Sequence, residues 1–449
     1  MNKNTKILII GSGLAGSEAA FYLAENGHKV VLVDSKFIEL NPAQKIKNCA
    51  ELVCTNSLKS SDLNSAHGQL KYEMKKFNSL IINAAERNSV PAGHALAVNR
   101  EEFSEEITNI LKNHVNIEFL EDEVKDPVGF ASKMNCLFTI IATGPLTNEA
   151  LYTWLLENLS KENLYFYDAI APVVEFESLD LTKLYFKDRY VDELEDKEAD
   201  YLNCPLTKEE YELFINELIQ AEKVPSKNFE KEKFFESCLP IDLMAQRGME
   251  TARFSCMKPV GLEVNGVRPY ACVQLRKENL LGNAFNLVGF QTRLTFKEQL
   301  RVFKLLPGFE NANFLHMGSV HRNTFINGKK ILHKNFNIKS YPDIYMAGQI
   351  SGVEGYTESA AIGLYVAIQL DRRINNVDEL IFPNETAIGA LVNYVLTSPK
   401  PSPSNINLGL FPPVELDYKK IKRKDKKKVK REKVFERARK HMDTLIENI

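Results

Sequence analysis

The sequence predicts an α/β protein in which one doubly wound parallel sheet is assembled from both ends of the chain, around an inserted, smaller α+β domain. Three observations predict it. The apolar run Lys6 to Ile10 ends in Gly11-Ser-Gly13-Leu-Ala-Gly16 and passes directly into a helix-forming segment. A second glycine-rich run, Gly348 to Gly355, follows the apolar stretch Ile344 to Ala347 near the other end. Between them, residues 151–334 change character and mix short strand-like runs with charged helical ones.

The elements follow in order. Lys6 to Ile10 has the length and apolarity of a strand buried on both faces. A helix from about Leu14 to Glu25 sets Ala15, Ala19, Ala20 and Leu23 on its packing side. After Asn26-Gly27 a second strand runs from Lys29 to Asp34 and completes a βαβ half. Leu137 to Ala142 is a further buried strand, closed by Thr143-Gly144-Pro145, and a small-residue helix is expected from about Ser359. In the insertion, strands are expected at Val173 to Phe176 and Tyr270 to Leu275, with helices at Lys208 to Lys223 and Asn228 to Glu236. Ser398-Pro-Lys-Pro-Ser-Pro403 reads as a stiff linker. The division is therefore 1–150 and 335–418 for the discontinuous sheet domain, 151–334 for the insertion and 419–449 for a basic C-terminal segment.

With 449 residues, 44% hydrophobic and 26% charged, the chain has a globular composition and length for two or three domains. A net charge of −2 gives no global attraction to nucleic acid. The local exception is Lys419 to Lys440, with 14 Lys/Arg against 3 Asp/Glu, readable as a solvated helix or as a phosphate-contacting segment. No apolar run approaches the roughly 18 residues of a membrane helix, and Ile7 to Ile10 is too short for a signal-peptide core. A cytoplasmic, membrane-free protein is expected. Seven cysteines without a C-x-x-C pair indicate neither a disulfide framework nor a metal site.

The glycines carry the first chemical signal. In Gly11-Ser12-Gly13-Leu14-Ala15-Gly16 the first glycine permits a tight turn, the second lets backbone approach a pyrophosphate, and the third lets helix pack on strand. The helix N-terminus then offers free N–H groups to phosphate, and Asp34, at the end of the second strand, can accept from an adenosine ribose. This Rossmann-type arrangement fits FAD or NAD. Gly348-Gln349-Ile-Ser-Gly352-Val-Glu-Gly355-Tyr356 can set backbone amides against a ring or a phosphate, or can simply be a tight turn into a close-packed helix. Cys54, where an apolar run meets Thr-Asn-Ser, and Cys238, at a break before Leu-Pro, are candidate thiolates if cations or helix ends favour ionisation.

Those residues then show a resemblance. Gly11 to Glu18, Ala50 to Leu58, Pro91 to Arg100, Cys238 to Gly248, Met257 to Leu262, His321 to Asn327 and Gly348 to Gly363 closely resemble motifs of the folate- and FAD-dependent RNA (uracil-5-)methyltransferases. Asn405 to Pro412 extends the resemblance over almost the whole chain. The resemblance implies a glutathione-reductase-like FAD domain interrupted by an insertion. It implies a reaction in which 5,10-methylenetetrahydrofolate gives a one-carbon unit, NADPH or NADH reduces the flavin, and carbon 5 of a uridine in structured RNA becomes methylated. It carries the family's two functional cysteines onto Cys54 and Cys238, with Cys238 attacking uracil and Cys54 the flavin-side acid or base. It places the cofactor along Gly11 to Gly16, Asp34, Thr143, Gly144, Gly348, Gln349, Gly352, Gly355 and Tyr356. The family has a tRNA branch (the TrmFO enzymes) and a 23S ribosomal RNA branch, and the sequence leaves both open. No partner protein is indicated. The chain departs from the usual pattern at His94, Cys49, Cys256 and Asn99, where glycine, an aromatic, proline and aspartate are usual.

Two other functions compete. A GidA-like tRNA wobble-uridine enzyme shares FAD, folate and a similar glycine run, but is longer. A flavin-bearing RNA-binding protein without catalysis would have no need of Cys54 and Cys238.

Overall fold

The computed structural model describes residues 5–41, 43–159, 165–189, 199–224, 239–263, 266–277, 282–398, 403–416 and 425–448. The main sheet has six strands in the order Asn337–Ile338, Tyr341–Met346, Phe138–Ile141, Lys6–Ile10, Lys29–Val33 and Ile117–Leu120. All neighbours pair in parallel except the edge strand Asn337–Ile338. Lys6–Ile10 is central, with Ile9 beside Leu32 on one flank and Ile140 on the other. Its isoleucines and leucine are buried, as a strand covered on both faces requires. The sheet is thus built from both ends of the chain.

Two helices cross under the glycine loop: Leu14–Glu25 and Tyr356–Ile374. Their approach depends on missing side chains. A Cβ on Gly363 would lie 2.2 Å from the Ala15 carbonyl oxygen, and one on Gly348 would lie 2.7 Å from the Ala15 Cβ. The second helix begins at Tyr356, earlier than the expected Ser359, because Gly355 at φ +111° turns the chain directly into it. Likewise Asp34 leaves the second strand at Val33 and caps the turn Ser35–Phe37.

A second six-stranded sheet is ordered Tyr185–Phe186, Tyr201–Leu206, Ala271–Lys277, Ala284–Leu287, Val173–Glu175 and Phe314–His316, and it is antiparallel throughout. Helices Lys208–Gln220, Ile241–Arg247 and Phe296–Phe303 give it a separate core around Tyr211, Phe214, Phe290 and Phe303. Thr207 and Glu210 form a reciprocal capping box on the first of these helices, which ends at Gln220, short of the expected Lys223. The helix expected at Asn228 to Glu236 lies outside the described residues.

The basic segment is a helix over Lys426–Glu447, and it is docked. Val434, Phe435, Ala438 and Met442 are buried in the main core, and Phe435 meets Phe411 edge-on at 5.4 Å. The Tyr72 hydroxyl donates to Asp443 at 2.6 Å, and Arg439 donates to the Leu63 carbonyl at 2.9 Å. Lys427, Lys428, Lys430, Arg431, Lys433 and Lys440 of the same helix are exposed. Among the described residues no helix is long and apolar enough to cross a membrane.

Candidate active site

The first glycine loop is shaped as its spacing predicts. Gly11 sits at φ +99°, and a Cβ there would lie 2.6 Å from the Ala142 carbonyl oxygen. A Cβ on Gly16 would lie 1.8 Å from the Gly11 carbonyl oxygen. Gly13 differs, because a Cβ there meets no protein atom within 4 Å. The fold itself does not need that glycine, so the space above it is what its missing side chain preserves. Gly13 also supplies no side-chain cap to the helix that follows. The first-turn amides of Leu14, Ala15 and Gly16 therefore remain available to phosphate oxygens. Gly144 borders the same loop at φ +69° with open space at its Cβ position, and Thr143 beside it bonds the Thr147 hydroxyl at 2.7 Å.

Asp34 is more occupied than the sequence implies. Its Oδ2 accepts from both the Ser12 N–H and the Ser12 hydroxyl, each at 2.7 Å, and its Oδ1 accepts from the Lys36 N–H at 2.9 Å. A carboxylate offers about four acceptor positions, so the capacity left for a ribose lies on Oδ1. Ser12 is thus the partner of Asp34, fixing the acid against the loop.

The second glycine loop closes on the first. Gly348 at φ +79° accepts from the Ser351 hydroxyl at 2.6 Å, and Ala15 occupies the space a side chain there would need. Gln349 opens the short turn Gln349–Ser351 beside it. Gly352 turns the chain at φ +107°, and a Cβ there would lie 3.8 Å from the Ile326 carbonyl oxygen and 3.9 Å from Val395. Gly355 faces the Glu358 carboxylate and Lys59.

Cys54 is brought against this second loop by Tyr356. The Tyr356 hydroxyl accepts from the Cys54 N–H at 2.7 Å and from the Thr55 N–H at 3.2 Å, and it lies 2.8 Å from the Cys54 sulfur. Burial, then the neighbouring Cys54, drive the phenol well above the usual tyrosine range, although Arg100 opposes them. Tyr356, expected only as a cofactor contact, is therefore a protonated partner of the thiol. The Ala50 N–H, donated to the Ser12 carbonyl at 2.9 Å, ties the start of the Cys54 loop to the first glycine loop.

The far side of the Cys54 loop is held by the second sheet. Arg276 on Ala271–Lys277 donates to the Thr55 hydroxyl and, at 3.1 Å, to Asn56 Oδ1, while Asn56 donates to the Lys277 carbonyl at 2.9 Å. Arg276 is buried. Sequence reading missed it, since nothing local marks an arginine on a strand as a partner of residues far back in the chain. It also missed Glu358, which is fully buried, accepts from the Ile406 N–H at 3.0 Å and has Lys59 and His67 within 3.8 and 3.3 Å. Burial would raise its carboxyl, but Lys59 and His67 outweigh burial and hold it at about 2.

Cys238 lies outside the described residues, and its neighbours Leu239 and Pro240 lead into the helix Ile241–Arg247. Burial raises the thiol of Cys49 despite Ser12 and Thr108, and pushes Cys136 up to about 11 and Cys256 and Cys272 to about 12. Those four are packing residues. Of the remaining departures, His94 is exposed, and Asn99 caps the helix Arg100–Asn113 by accepting from the Glu101 N–H. Among the described residues no group of three or more His, Cys, Asp or Glu could hold a metal ion.

Comparison with known proteins adds to this geometry. The profile of the family described as glucose inhibited division protein A matches residues 6–378. A protein of Natranaerobius thermophilus named methylenetetrahydrofolate–tRNA-(uracil-5-)-methyltransferase TrmFO is 46% identical over 446 residues, covering 98% of this chain and 99% of that one. Proteins of the same name from Desulfotalea psychrophila and Staphylococcus aureus are 48% and 47% identical, over 95% and 92% of this chain and 95% and 93% of theirs. Among solved structures, Aquifex aeolicus GidA has a TM-score of 0.69 at 14% identity, covering 99% of this chain and 76% of that one, a likeness of fold.

Proposed function

The chain belongs to the TrmFO family, within the broader glucose inhibited division protein A family, and from that premise we propose that it methylates carbon 5 of a tRNA uridine. The donor is 5,10-methylenetetrahydrofolate, the cofactor FAD and the reductant NADPH or NADH. The observation that carries the reading is Cys54, held by Tyr356 directly after the second glycine loop. Full-length relatives named for tRNA favour tRNA over the ribosomal branch. The likeness to GidA is one of fold, so it gives no support to wobble-uridine chemistry.

The residues fit a flavin dinucleotide. The open space at Gly13 and the uncapped amides of Leu14, Ala15 and Gly16 would receive the pyrophosphate, Asp34 Oδ1 the ribose, and the Gly348 to Gly355 run the ring. Bound there, FAD would supply the reducing equivalents that turn the folate's one-carbon unit into a methyl group. The chain's own part is covalent and acid–base. Carbon 5 of uracil is a weak nucleophile until the Cys238 thiolate adds to carbon 6. Once carbon 5 carries its new substituent, loss of its proton expels Cys238 and restores the ring double bond. Cys54 serves as the acid or base on the flavin side. The target uridine leaves its stack to reach the site.

The test is a map of 5-methyluridine in tRNA and 23S ribosomal RNA from cells lacking this chain, with and without complementation. Loss at a tRNA uridine, restored on complementation, supports the reading. Loss confined to 23S ribosomal RNA moves the substrate, and no loss in either removes the proposed activity.

A further inference from the structure

Tyr356 has three polar neighbours and only three places to put them. A phenol oxygen has two acceptor lone pairs and a single hydrogen. The N–H groups of Cys54 and Thr55 can only donate, and they lie at 2.7 and 3.2 Å. With both lone pairs so used, the hydrogen is left for the third neighbour, the Cys54 sulfur at 2.8 Å. We infer that Tyr356 is a positioning residue that donates its phenolic hydrogen to the Cys54 sulfur and favours the thiolate.

A hydrogen bond given to the charged form of a group stabilises that form. The surroundings keep the donor in place. Tyr356 is the first residue of its helix, directly after Gly355, so its hydroxyl is carried by one of the longest packed elements of the fold. Arg276 and Asn56 hold the other side of the Cys54 loop. Among the described residues, charged groups facing this loop include Arg100, which donates to the Leu52 carbonyl at 3.2 Å, and Arg276. Both are cations and act in the same direction as the phenol. Lys59 and Glu358 offset one another beside Gly355.

The inference takes its catalytic meaning from the proposed role of Cys54, but its test needs neither RNA nor folate. Flavin-loaded protein is alkylated with iodoacetamide across pH 5.5 to 9.5, and the Cys54 peptide is quantified by mass spectrometry against the Cys136 peptide. In the native protein Cys54 should titrate below the ordinary thiol value of about 8.5. Y356F should move its curve up by about one to two pH units, slowing alkylation by up to about tenfold per unit on the acid side of the curve, while Cys136 is unmoved. Because Y356F also removes an acceptor from two N–H groups, a second variant carries 3-fluorotyrosine at position 356. That phenol has the same hydrogen-bonding pattern and is a stronger donor, so the Cys54 curve should move down. An unchanged Cys54 curve in folded Y356F, or an upward shift with fluorotyrosine, overturns the inference. If the curves move as stated but C54A methylates normally, the catalytic role of Cys54 fails and the Tyr356 contact stands.

Discussion

Two glycine substitutions separate what the fold needs from what the cofactor needs. In G363A the new Cβ would sit 2.2 Å from the Ala15 carbonyl oxygen and 2.8 Å from the Ala15 Cα, all backbone of the facing helix. Ordinary contact begins at about 3.4 Å, so the helices must part by roughly 1 Å, and no flexible side chain is there to yield. Overpacking of this kind costs about 1–3 kcal/mol. Because Ala15 lies in the glycine loop, flavin should be lost as well. In G13V the side chain enters space with no protein atom within 4 Å of its Cβ. Its folding cost is a poorer N-cap, about 1 kcal/mol or less, yet the pyrophosphate's approach is blocked. The assay pairs urea unfolding with the amount of FAD released per chain. G363A should lower both the urea midpoint and the flavin content, whereas G13V should lose flavin while its apo form unfolds near the native apo midpoint. A flavin-saturated G13V, or a G363A as stable as the native chain, would refute the account of these loops.

Further outcomes follow from other parts of the molecule. C238A should abolish the covalent complex with RNA bearing 5-fluorouridine, seen as a shifted band on a denaturing gel, while FAD stays bound. C54A should still form it, and the reverse pattern would exchange the two roles. Replacing Lys426, Lys427 and Lys430 by glutamine should weaken binding to many RNAs together and flatten the dependence of affinity on salt, because phosphate contacts release counterions. Equal salt slopes for the two proteins would move RNA docking elsewhere. Burial, outweighing their hydrogen bonds at the N-termini of Leu80–Arg87 and Ala387–Thr397, raises Glu18 and Glu73 to about 7. The native state then binds more protons than the unfolded chain between about pH 4.5 and 7, so stability from these groups is full below that window and falls as pH rises through it. Glu358, held at about 2, acts oppositely: its contribution is present above about pH 4.5 and fades on acidification. Urea midpoints across pH should therefore decline above pH 4.5, less steeply in E18Q and E73Q, and no change in slope would argue against buried acids as the cause.

What the sequence discloses here is what is local. The spacing Gly11, Gly13, Gly16 and the strand before it report one turn of backbone, and that turn is present. The glycines around Tyr356 are legible for the same reason. The helix starts three residues before the expected Ser359 because Gly355 does the turning and Ser359 only resembles a cap. The partners of functional groups are not local. Tyr356 meets Cys54 across 302 positions, and Arg276 meets Asn56 across 220. Buried acids escape for a different reason: Glu18, Glu73 and Glu358 look like any helix acid until the helix N-termini or cations that face them are known. In the basic tail a signal was present but masked. Val434, Phe435, Ala438 and Met442 follow helical spacing through the lysines, and that stripe is the face that docks.

The central claim is that this chain transfers a folate-borne carbon to carbon 5 of a tRNA uridine. The most direct measurement supplies flavin-loaded protein with 5,10-methylenetetrahydrofolate labelled in its methylene carbon, NADPH and unmodified tRNA. The RNA is then digested and its nucleosides separated. Label is expected in 5-methyluridine, absent from C54A and C238A although both retain FAD. Unlabelled nucleosides from tRNA exposed to fully flavin-loaded native protein, with label appearing in 23S ribosomal RNA or nowhere, would contradict it.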